Sequence, residues 1–155
     1  MQDAQNIVLF NKNKKTPDLD KHHFYQNIGI AYHNLFLFLK RHNLSNKEFY
    51  NSALKFYGKA GASRSLFEKA EIKILEASLK ASAGELIQAE KIFLKIDKTL
   101  LEGSSRAHEY LASYFAATGD VASALVALNN AHEKNPNQIA LWVAIGDDFA
   151  AIENK

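Results

Sequence analysis

The sequence predicts an all-helical protein of about seven helices, and three observations carry that reading. Glycine and proline are sparse, 7 and 2 in 155 residues, and they divide the chain into stretches of about 13 to 22 residues. Such lengths suit helices and exceed those of strands. Most stretches open on a residue that caps helices. Within them the apolar residues recur at three and four, and no stretch of useful length alternates with period two.

The elements follow in order. Residues 1–15 are expected to be a flexible tail that holds the cluster Lys12, Lys14 and Lys15 and the apolar run Ile7-Val8-Leu9-Phe10. Thr16 places a side-chain acceptor at a cap, Pro17 a pre-set φ at the first helical position, and Asp18 a negative charge at the positive end of the dipole. A helix should run from there to about His42, with Phe24, Ile28, Ala31, Leu35 and Phe38 as its apolar stripe. Ser45 with Glu48, and Ser65 with Glu68, match the capping box and open helices near 46–58 and 66–83. The second of these carries Ile72, Leu75 and Leu79 at helical spacing. Further starts fall at Gly84–Glu85, at Ser104 or Ser105, at Asp120 after Gly119, and at Asn137 after Pro136. Residues 16–155 then form a single domain, long enough to bury roughly 68–70% of the surface of its unfolded chain.

A repeat emerges when helices are taken in pairs. In a 34-residue unit beginning at Ser105, Leu111, Ala112 and Phe115 occupy positions 7, 8 and 11, and Ala124, Leu128, Ala131 and Pro136 occupy 20, 24, 27 and 32. A following unit from Ile139 places Trp142, Ile145, Gly146 and Phe149 at 4, 7, 8 and 11. Small residues at 8, 20 and 27 let paired helices approach, and large ones fill the gaps between them. The pattern resembles the tetratricopeptide repeat, strongly over 105–152 and more weakly over 22–104. Before Gly84 the fit requires a shortened turn; after it, Ala89, Phe93 and Ile96 keep positions 20, 24 and 27, with Leu101 in place of the proline. Near the N-terminus, Tyr25, Ile28, Gly29 and Tyr32 match 4, 7, 8 and 11, and Ala53, Tyr57 and Ala60 match 20, 24 and 27. About 12 extra residues separate those two halves, so longer helices or a non-standard turn are expected there.

The resemblance implies an antiparallel helix-hairpin solenoid, a superhelix whose concave face receives a peptide or a partner protein. Carried onto this chain, the family's groove positions are His23, Gln26, Ile30, His33 and Asn34, and Arg106, Glu109, Ser113, Ala116 and Ala117. The groove would be mostly neutral and polar. The subclass that clamps a C-terminal carboxylate uses lysine, asparagine and arginine, and its pattern is absent at Gln26, Ile30 and Glu109.

Composition narrows the function classes. Without cysteine there is no disulfide framework, thiolate metal site or thiol nucleophile. The six histidines include no i, i+4 pair and no zincin signature, and the adjacent Asp147 and Asp148 point about 100° apart on a helix, so neither metal nor cofactor is expected. No phosphate loop, nucleophile elbow or dinucleotide turn is present, and no catalytic residue is assigned. The longest apolar run, Leu35 to Leu39, cannot cross a bilayer, and a cytoplasmic location is expected. Residues 1–80 carry 13 Lys or Arg against 7 Asp or Glu, a balance of +6, whereas residues 81–155 carry 6 against 10, a balance of −4. The basic half keeps a nucleic-acid-binding regulator as an alternative, although its lysines stand singly at helical spacing and nucleic acid is not the expected partner. The leading expectation is a non-enzymatic interaction scaffold or adaptor; a small secretion-type chaperone of such repeats is a close variant.

The C-terminal helix, about Gln138 to Ile152, breaks the rule that a terminal repeat helix has a polar outer face. Leu141, Val143 and Ile152 are left over once the packing stripe is assigned. They are expected to form an interface, either with a second copy of the chain or with a partner, unless the run Ile7 to Phe10 folds back over them.

Overall fold

The computed structural model describes residues 18–44, 47–62 and 65–136. The first six expected helices lie among them. They are α1 (Asp18–Arg41), α2 (Lys47–Ala60), α3 (Leu66–Ser82), α4 (Leu86–Phe93), α5 (Ser105–Thr118) and α6 (Val121–Lys134), with a 3-10 turn at Lys98–Leu101. The described part of the chain is all-helical. The tail 1–15, the seventh helix and its residues Leu141, Val143 and Ile152 lie outside the described residues.

Local chemistry places the helix ends. Ser65 Oγ accepts from Glu68 N–H at 3.3 Å, Ser104 Oγ from Ala107 N–H at 3.1 Å, and Asp120 Oδ1 from Ser123 N–H at 3.0 Å. Each satisfies an amide that the helix leaves without a carbonyl. The C-terminal ends use left-handed residues, Asn43 at φ 55°, Gly84 at 88° and Gly119 at 82°. In each case the next amide turns back five residues: Leu44 to Leu39 O at 3.0 Å, Glu85 to Lys80 O at 2.9 Å, and Asp120 to Phe115 O at 2.9 Å. This closure reverses the chain within two residues.

Consecutive helices pack in pairs, α1 with α2, α3 with α4, and α5 with α6. Rings cross the first pair in antiparallel order, Tyr25 with Phe56 and Tyr32 with Phe49. The surplus residues expected in this hairpin are accommodated by the 24-residue length of α1. Gly29 marks its closest approach: a Cβ there would stand 2.6 Å from the Tyr57 ring. Ala53, Tyr57 and Ala60 on the facing helix are buried.

Helix α3 joins the pairs. Ile72, Leu75 and Leu79 enter a core with Phe36, Ala53 and Tyr57, while Ala70, Ile74, Ala77 and Ala81 enter another with Phe93, Ala107 and Tyr114. A helix enclosed on both sides is apolar around most of its circumference. Helix α4 ends at Phe93, earlier than expected. Ile96 and Leu101 still reach the core, because Asp97 caps the 3-10 turn through Thr99 N–H at 3.1 Å. The last pair closes on Ala112, Ala127 and Leu128, and Ser105 Oγ donates to Ala131 O at 2.9 Å.

Candidate functional site

Helices α3 and α5 lie side by side, and their polar contacts repeat at one step. Arg106 donates to Glu71 twice, Nε at 3.2 Å and Nη2 at 3.0 Å, and Ser78 and Ser113 hydroxyls meet at 2.9 Å. Both links join residues 35 apart in sequence. A constant offset means that the two helices run parallel. The left-handed glycines Gly84 and Gly119 are separated by that same step. Helix α1 joins this arrangement through contacts with α3.

The expected groove residues divide by exposure. Asn34 is exposed, and His23, Ile30, Arg106, Ser113, Ala116 and Ala117 are half-buried. Gln26, His33 and Glu109, expected on an open polar surface, are instead buried at 0, 4 and 7% exposure. For Gln26 and His33 the cause is that α1 packs against both α2 and α3 and buries the side of its turn that carries residues 22, 26, 29 and 33; Glu109, on α5, is enclosed where α5 packs against α3 and α6. His33 Nδ1 meets the Tyr57 hydroxyl at 3.0 Å, and His22 Nδ1–H donates to Ala60 O at 2.7 Å. His23 Nδ1–H points to Gln26 Oε1 at 3.4 Å.

Several of these buried groups are incompletely satisfied. His22 Nε2, Gln26 Nε2, His33 Nε2 and Glu109 Oε1 have no hydrogen-bond partner among the described residues. Burial holds His33 down at about 4. Burial, assisted by the neighbouring Tyr110, pushes the Tyr57 hydroxyl well up. Tyr110 itself is raised by burial, lowered by Arg106, and raised again by Glu71 and Glu109. Tyr110 packs against the core that holds Tyr57, so burial and nearby charge act on both hydroxyls.

Glu71, Ser78, Tyr57 and Tyr110 were not among the expected site residues. One signal for two of them was on the chain: Glu71 and Ser78 interrupt apolar runs in α3 and precede Arg106 and Ser113 by 35 residues. No protein-family model matches this chain, and neither the curated proteins nor the solved structures give a match.

Several lysines elsewhere on the fold have local partners. Lys59 stands over the Tyr25 and Phe56 rings at 5.2 Å, Lys80 pairs with Glu85 at 3.1 Å, and Lys40 donates to Ser82 O. Tyr50 donates to Glu85 at 2.6 Å beside a cavity of about 430 Å³ that also touches Phe36 and Lys47. Among the described residues no three His, Cys, Asp or Glu side chains converge as metal ligands would, and no described helix is long and apolar enough to cross a membrane.

Proposed function

We propose that the chain is a non-enzymatic interaction scaffold, a tetratricopeptide-like solenoid that holds a peptide or partner protein on the face shared by α1, α3 and α5. The observation that carries this reading is the 35-residue step of the Glu71–Arg106 and Ser78–Ser113 links. Parallel helices at a fixed step are what stacked hairpins of one length produce, and stacking aligns the first helix of each hairpin along one continuous face. A face of that kind suits an elongated ligand, which can touch several hairpins at once. Asn34, exposed on α1, offers it both a donor and an acceptor.

Site-specific photocrosslinking tests the reading. A photoreactive phenylalanine analogue is placed at Asn34 or Ser113 on this face, and at Val126, an exposed residue of α6, as the comparison. Illumination in extract of the source cells should yield the same protein adduct from the first two positions and none from the third. Adducts from Val126 alone would transfer the site to α6, and absence of adducts at all three would end the scaffold reading.

A further inference from the structure

We propose that Glu109 receives a lysine or arginine side chain of the bound partner. This rests on the scaffold reading and supplies the partner's chemistry at one point of the face. Glu109 keeps 7% of its surface exposed, and among the described residues its Oε1 has no hydrogen-bond partner. A buried carboxylate oxygen without a donor destabilises the free chain and is rare in folded proteins. The cation one turn earlier on α5 is already committed: Arg106 gives Nε and Nη2 to Glu71, whose side chain is fully buried. Glu71 takes both of those donors, and no ion pair joins Arg106 to Glu109 among the described residues.

Reach and charge select the occupant. The free oxygen is itself closed to solvent, so a group that reaches it must be slender and carry its donor at the tip. Lysine and arginine carry their donors at the end of a long, slender stem and bring the compensating positive charge. Burial pushes the Glu109 carboxyl up and Arg106 pulls it down, so an entering cation would reinforce the ionised form.

The test uses a random dodecapeptide library displayed on phage and selected on the full chain, with selected peptides then synthesised and titrated. Peptides from the parent should share one lysine or arginine. They should bind Glu109→Gln about tenfold or more weakly, as expected for loss of a hydrogen bond between charged groups. Replacing the shared lysine by norleucine should produce a similar loss on the parent and little further loss on Glu109→Gln. Glu109→Asp, which keeps the charge, should keep the preference, and the thermal midpoint of each variant verifies folding. Peptides that lack a common basic position, or that bind Glu109→Gln as tightly as the parent, would overturn the assignment and leave the scaffold reading standing. Selection of no peptide at all would overturn both.

Discussion

His33 shows how one side chain links packing to solution conditions. Its ring is buried at 4% exposure, and its Nδ1 faces the Tyr57 hydroxyl at 3.0 Å. Burial holds the pKa at about 4, against 6.5 for an open imidazole. Between those values the unfolded chain binds a proton that the folded chain refuses. The contribution is therefore complete above about pH 6.5 and is lost as the pH falls toward 4. Urea midpoints measured at pH 7.5 and pH 5 should differ by about 2 kcal/mol in stability, and His33→Gln should remove most of that difference. Four residues earlier, Gly29 is constrained by shape. A methyl group would meet the Tyr57 ring at 2.6 Å, so Gly29→Ala should cost about 1–3 kcal/mol even though alanine is the better helix former. A thermal midpoint equal to the parent's would mean that the hairpin opens to admit the methyl.

At the scale of elements, helix boundaries were legible because they are set by local chemistry. Ser65, Ser104, Gly84, Gly119 and Asp120 act on backbone groups within a few residues, and a single sequence contains all of that information, whereas Thr16, Pro17 and Ser45, also read as helix starts, lie outside the described residues. The paired positions were legible too, since Gly29 against Tyr57, and Ala112 against Leu128, need only the helical period and a hairpin. What escaped was which side of α1 is covered: of the expected stripe, Phe24, Ala31, Leu35 and Phe38 are exposed and Ile28 is half-buried, while the side with polar residues is enclosed. The period places Gln26 and His33 on one side of α1, and the repeat resemblance set them and Glu109 in a groove, but only the approach of neighbouring helices decides that they are enclosed. The Glu71–Arg106 pair likewise requires the register between α3 and α5, which no local rule supplies. That pair makes an element-level prediction. Arg106→Leu should destabilise the chain by roughly 3–5 kcal/mol by stranding a buried carboxylate, whereas Glu71→Leu/Arg106→Leu together should restore much of the loss. Chemical denaturation of the three variants checks this, and a double variant no more stable than Arg106→Leu would show that the pair does more than cancel charge. Leu128, 3% exposed between α5 and α6, gives a simpler case: Leu128→Asp buries an unpaired charge and should be severely destabilising in the same assay.

For the whole molecule the governing feature is that α3 serves two cores. In a stack of independent hairpins, damage to one unit stays near that unit, because stability is a sum of local and nearest-neighbour terms. Here Leu79, fully buried in the core with Phe36 and Tyr57, lies on the same helix as Ile74, fully buried in the core with Phe93 and Tyr114. Loosening either side shifts the helix on which the other depends. Leu79→Ala removes a packed side chain at a cost of about 2–5 kcal/mol. Its effect should therefore extend past α1 and α2 to α5, which touches α3 through the Glu71–Arg106 and Ser78–Ser113 links. Amide hydrogen exchange resolves this helix by helix, since protection reports the free energy of the opening that exposes each amide. In the parent, α3 should exchange slowest. In Leu79→Ala the amides of α5 should lose protection together with those of α2. If α5 kept its full protection while α1 and α2 lost theirs, the hairpins would be energetically separate, and the shared helix would join them in space without coupling their stability.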